Sequence, residues 1–97
     1  MGRTSKVYNR YRNEIREITS RYPVTNVRVF GSIARGDDCD TSDLDLLVDP
    51  LPGVTLLDLG GLQDELQSLL KVKIDLVTPG DLPLRIRTTV IREARPV

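Results

Sequence analysis

Apolar residues recur along this chain with two different periods, and the switches between them mark its elements. Between residues 5 and 22, Val7, Tyr8, Tyr11, Ile15, Ile18 and Tyr22 return every three or four positions with Lys and Arg between them, which predicts an amphipathic helix. Pro23 ends that pattern, and the β-branched run Val24–Phe30 predicts a strand. Gly31-Ser32 breaks the strand, Ile33–Gly36 reads as a short helical turn, and Asp37–Ser42, "DDCDTS", reads as a polar loop. Leu44–Val48 predicts a second strand, closed by Asp49-Pro50 and the turn-prone Pro52-Gly53. Thr55 stands where it can cap a helix over residues 56–70, whose Leu56, Leu59, Leu62, Leu66, Leu69 and Leu70 form a stripe, although Gly60-Gly61 weakens its centre. Alternation over Val72–Val77 predicts a third strand, and a last helix is expected from Pro83 or Leu84 to Ala94, with the proline near its first turn. The expected order, α-β-(α)-β-α-β-α, describes one α/β (α+β) domain over residues 1–97, a small mixed sheet of three or more strands flanked by helices.

One detail does not belong in a core strand. Asp43 and Asp45 are set among Leu44, Leu46, Leu47 and Val48. Side chains at i and i+2 of a strand share a face and lie about 6.5–7 Å apart, so both carboxylates point the same way. Desolvating two like charges side by side is costly without a cation. The third strand repeats the pattern in "VKIDLV", with Val72, Ile74 and Leu76 on one face and Lys73, Asp75 and Val77 on the other. If the two strands are neighbours, three carboxylates converge. Oxygen ligands alone suit a hard ion, Mg²⁺ or Mn²⁺, that also binds phosphate oxygens and serves an in-line phosphoryl or nucleotidyl displacement. Asp43 and Asp45 would hold metal; Asp75 would complete one site and orient or deprotonate an attacking hydroxyl.

Gly31-Ser32 supplies the complement. A glycine at a strand-to-helix turn admits a phosphate close to free backbone N–H groups, the Ser32 hydroxyl adds a donor, and Arg35 lies one short turn further on. Taken singly, a D-x-D at a strand end is ordinarily a solvated turn, a Gly-Ser an ordinary break, and Asp75 a solvent-facing strand residue. Their joint order carries the reading. Asp37, Asp38, Asp40 and Asp49 read as loop charges, and Cys39 as an incidental loop thiol.

Composition narrows the chemistry further. The chain has no histidine and one cysteine, which excludes a Ser-His-Asp or Cys-His triad, an internal disulfide, a Cys-cluster zinc site and a His-ligated metal. With 39% hydrophobic and 29% charged residues it resembles an ordinary soluble domain, and four aromatic residues leave its core to Leu, Ile and Val. No apolar stretch approaches the roughly 20 residues of a membrane span and no signal-peptide pattern opens the chain, so no membrane partner and a cytoplasmic location are expected. Net charge is zero but uneven: residues 1–35 carry eight basic and two acidic side chains, residues 36–81 two and eleven, and residues 82–97 four and one. An acidic middle is a poor surface for nucleic acid, which is not expected as a template.

At Gly31-Ser32, ten residues, Asp43-Leu44-Asp45, the sequence resembles the nucleotidyltransferase superfamily that includes DNA polymerase β. The longer string "GSIARGDDCDTSDLDLLV", with "KIDLVTPGDLP" and the ending "VIREARPV", more closely resembles its minimal nucleotidyltransferase branch, from about Val27 onward. The resemblance implies Gly31 and Ser32 at the triphosphate, Asp43 and Asp45 at Mg²⁺, Asp75 as third carboxylate, and Arg35 and Gly36 as the family's R-G. Many members are antitoxins whose partners are HEPN-domain ribonuclease toxins, and members have been linked to AMP transfer from ATP onto a toxin tyrosine. Superfamily members that act on templates or small molecules surround this core with further domains, so a short chain is expected to modify a protein. Two readings compete with that one. The chain is alternatively a non-catalytic antitoxin that occludes its toxin, docking through the basic helices that carry Arg10, Arg12 and Arg16, and Arg85, Arg87 and Arg92; or it transfers a nucleotide to a small molecule or RNA end.

Overall fold

The computed structural model describes residues 2–97. The elements follow in the order α1 (Arg3–Thr19), β1 (Val24–Phe30), α2 (Gly31–Arg35), β2 (Leu44–Pro50), α3 (Leu56–Leu70), β3 (Ile74–Val77), a 3-10 turn (Pro79–Asp81), α4 (Leu84–Glu93) and β4 (Arg95–Pro96). Four strands form one mixed sheet in the order β3-β2-β1-β4. β1 runs antiparallel to β2 and β4, whereas β2 and β3 are parallel and therefore need the crossover that α3 provides.

Hydrophobic periodicity decides which side of the sheet is covered. Ile15 and Ile18 of α1, Leu62, Leu66 and Leu70 of α3, and Leu44, Leu46, Val48 and Ile74 of the sheet form one buried cluster. On the opposite face Asp43 stands just before β2 and Asp45 at the strand's start, followed by Leu47, which is fully buried but lies outside that cluster. The 3-10 turn packs against β2, and Leu82 just beyond it is buried outside the cluster too. The second face is thus dry beyond the carboxylates and open at them.

The boundaries differ from expectation where contacts distant in sequence set them. α1 starts at Arg3, ahead of the periodic pattern, because the 37–42 loop caps it. Its own N-cap, Gly2, offers no side chain. Instead the Arg3 N–H donates to Asp40 Oδ1 at 2.9 Å and the Ser5 N–H to Asp38 Oδ2 at 3.1 Å, and the Ser5 hydroxyl donates to Asp38 Oδ1. Carboxylates at a helix N-terminus satisfy its orphan donors and its dipole. Asp38 and Asp40 are therefore more than loop charges, and the Ser5 hydrogen bonds hold the Asp38 carboxyl below the usual aspartate range. α1 ends at Thr19, and Tyr22 leaves it to donate to Glu65 of α3 at 2.8 Å. Asp49 extends β2 and ion-pairs with Arg28, whose Nε donates to the Asn26 carbonyl at 3.0 Å across an irregularity in β1. β3 is shorter than the alternation suggests, starting at Ile74, whose N–H is taken by Gln67 Oε1 of α3 at 3.0 Å. β4 is not expected at all: two residues including a proline leave no strand pattern to read.

Candidate active site

The site begins at the end of β1. Gly31 has φ of +71°, a conformation that L side chains rarely adopt, and a Cβ built there would lie 2.2 Å from Asp45 Oδ2. The carboxylate occupies the space that any other residue's side chain would need. Gly31 is therefore required by the turn, and a side chain there would also displace the Asp45 carboxylate. Ser32 follows in the first turn of α2, whose N-terminus has no side-chain cap of its own.

Sheet register brings the acids together. Asp45 pairs across the β1–β2 ladder with Phe30 and across the parallel β2–β3 ladder with Asp75. Burial, reinforced by the charges of Asp75 and Asp43, pushes the Asp45 carboxyl up to about 6, while Arg35 opposes the shift. Arg35 is tied by its Nε to Asp37 Oδ2 at 3.2 Å. Lys73 Nζ stands 3.6 Å from Asp43 Oδ2, the one cation paired with that carboxylate among the described residues. Such an exposed pair contributes little to stability, but it marks where positive charge is wanted. Among the described residues, no three Asp, Glu, His or Cys side chains are close enough to enclose an ion unaided.

The structure thus gathers Gly31, Ser32, Arg35, Asp43, Asp45 and Asp75 around one end of the sheet. Gly36 is placed differently. It ends α2 in a left-handed conformation with φ of +78°, its N–H donating to the Ile33 carbonyl at 3.2 Å, and open space surrounds its Cα. Its glycine is explained by the helix C-cap. Lys73 was readable only as a residue on the Asp75 face; its partner depends on the register between β2 and β3. A cleft of about 560 Å³ lies between α1, α2 and β4, lined by Tyr8, Arg12, Ile33, Gly36 and Arg95 among others, and none of the three carboxylates borders it. The carboxylates lie apart from that cleft, Asp43 and Asp45 part-exposed and Asp75 exposed.

The chain is similar to known proteins in both sequence and fold. The nucleotidyltransferase domain family matches residues 12–97. A protein of Methanocaldococcus jannaschii assigned as a protein adenylyltransferase is 34% identical over 82 residues, 84% of either chain. The protein adenylyltransferase MntA of Thermococcus cleftensis is 38% identical over 78 residues, 80% of this chain and 79% of its own length. Among solved structures, one described as a minimal nucleotidyltransferase superposes with a TM-score of 0.86 at 40% identity, over 100% of this chain and 97% of that one. A toxin–antitoxin complex with AMP-PNP shares the fold, with a TM-score of 0.74 at 21% identity over 87% of this chain and 69% of that one. Matched from within its first helix to its last residue, and over its whole length by one solved fold, the chain belongs to the nucleotidyltransferase domain family and, within it, to the minimal nucleotidyltransferases.

Proposed function

We propose that this protein transfers AMP from ATP to a hydroxyl, a tyrosine, of a partner HEPN-type ribonuclease toxin and so acts as its antitoxin. The observation that carries the proposal is the seating of Asp45 against Gly31 and opposite Asp75, with Asp43 two residues before it. Relatives named protein adenylyltransferases support the acceptor class, and a fold neighbour solved as a toxin–antitoxin complex with AMP-PNP supports the partner and the nucleotide.

The donor set fits a hard cation. Asp45 is crowded by two like charges and part-buried, and the positive groups facing the pair are Lys73 on Asp43 and the Arg35 charge near Asp45. Asp43, Asp45 and Asp75 are the residues that would hold Mg²⁺ or Mn²⁺, which would supply charge stabilisation for the pentacovalent phosphorus and the departing pyrophosphate. The Gly31-Ser32 turn receives the triphosphate, with backbone N–H groups and the Ser32 hydroxyl as donors and the Arg35 guanidinium beside them. The acceptor oxygen attacks the α-phosphorus in line as the bond to the bridging oxygen breaks. Asp75, exposed at the edge strand, accepts the proton of the acceptor hydroxyl.

The competing reading, neutralisation by occlusion alone, draws on α4. Leu84, Ile86 and Ile91 are exposed on that helix beside Arg85 and Arg92, which gives a docking face needing no chemistry. One experiment separates the two: α-³²P-ATP and Mg²⁺ with the protein encoded beside this one as acceptor, wild type against Asp43→Asn. Label on the partner that falls at least 100-fold in the variant is expected. No label from either, with tight complexes from both, would replace catalysis by occlusion.

A further inference from the structure

We propose that Thr4, at the start of α1, is a positioning residue for the carboxylate pair; the inference rests on the catalytic reading above. Thr4 is 1% exposed, and its hydroxyl donates to the Ser42 carbonyl at 2.6 Å, 38 residues away. Ser42 is the residue before Asp43. On the other side of Asp43, the Leu44 N–H donates to the Lys73 carbonyl at 2.9 Å. The backbone of Asp43 is thus held from both directions, by α1 before it and by the approach to β3 after it. The loop leading there is held along its length by the same helix turn, Asp40 on the Arg3 N–H and Asp38 on Ser5. It closes on itself through Ser42, whose N–H donates to the Cys39 carbonyl at 3.0 Å and whose hydroxyl accepts the Cys39 N–H at 2.9 Å.

The chemistry of position 4 supports a positioning role over simple filling. A valine would fill the same volume with no hydroxyl to satisfy, whereas this buried hydroxyl is satisfied by the Ser42 carbonyl. That bond lands on the peptide that aims Asp43. Asp43 itself precedes the first residue of β2. Groups that orient metal-holding carboxylates through a second layer of hydrogen bonds change affinity about 10–100-fold when removed.

The test uses the full chain with Mn²⁺ and AMP-PNP, following free Mn²⁺ by electron paramagnetic resonance, and runs wild type, Thr4→Val, Thr4→Ser and Asp43→Asn in parallel. Thr4→Val is expected to weaken Mn²⁺ binding about 10-fold and Thr4→Ser to restore it, the far-ultraviolet circular dichroism being alike in all. In the transfer reaction, kcat of Thr4→Val should fall more than KM for ATP rises, because the phosphate turn at Gly31-Ser32 is untouched. Wild-type Mn²⁺ affinity in a folded Thr4→Val protein would overturn the inference and leave Thr4 a packing residue. If Thr4→Val does not fold, Thr4→Ala takes its place with the same expected loss, and an unchanged affinity there overturns the inference as well. Equal binding by wild type and Asp43→Asn would overturn the metal site itself, a separate failure that carries this inference with it.

Discussion

Asp45 is held in a state its own chemistry opposes. Its carboxyl titrates near 6, against an ordinary 3.8, so the folded protein binds a proton more tightly than the unfolded chain does. Stability contributed by that proton is fully present below about pH 4 and is lost as pH rises through 6. After discounting for solvent screening, the strain on the ionised form at pH 7 amounts to about 1–2 kcal/mol. In metal-free buffer, the melting temperature should therefore rise between pH 7 and pH 5, and Asp45→Asn should flatten that rise and be the more stable protein at pH 7. A rise of the same size in Asp45→Asn would locate the titration elsewhere. Asp38 works in the opposite direction, its lowered pKa withdrawing stability only as pH falls below the ordinary aspartate range. The acids could be singled out from the sequence only jointly. A lone i, i+2 pair at a strand end is ordinarily a solvated turn, and it is their order after Gly31-Ser32 and before Asp75 that marks them. The contact between Asp45 and Gly31 was not legible, since no pattern within 13 residues of chain states how closely two strands approach.

Elements whose ends are fixed by their own neighbours matched expectation closely. α3 spans residues 56–70 because Thr55 and Asp58 form a reciprocal capping box, the Asp58 N–H donating to Thr55 Oγ1 at 3.1 Å and the Thr55 N–H to Asp58 Oδ2 at 2.9 Å. Gly60 and Gly61 do not break it, and Gly61 lies against the Tyr22 ring with room to spare. Thr55→Ala should cost about 1 kcal/mol, read as a lower urea midpoint at unchanged slope. A loss of several kcal/mol would show that the cap also holds the β2–α3 turn. Elements whose ends are fixed from afar were misjudged at their boundaries: α1 at its capped start, β3 at the glutamine that meets it, and β4 altogether. In each case the deciding hydrogen bond joins residues that the sequence does not place side by side.

At the scale of the whole molecule, the site has no local unit of its own. Gly31, Asp45 and Asp75 come from the ends of three neighbouring strands, joined by a polar loop and by the α3 crossover, and α3 is held in turn against α1. A site assembled this way should disappear together with the fold. Urea unfolding followed by far-ultraviolet circular dichroism and by tyrosine fluorescence should give superimposable curves, and a first transition that releases the β3 edge alone would refute that coupling. The α/β class and mixed sheet were readable from period switches; the parallel pairing that sets Asp75 opposite Asp45 was a condition the sequence could only state. The glycine at position 31 also has a consequence for substitution. While Asp45 fills the space beside it, a methyl group at 31 would have to push that carboxylate aside, whereas a chain with a shorter residue at 45 would meet only the backbone strain. Substitution is therefore easier to reach at position 45 than at position 31, where the left-handed backbone penalises a side chain whatever its neighbour.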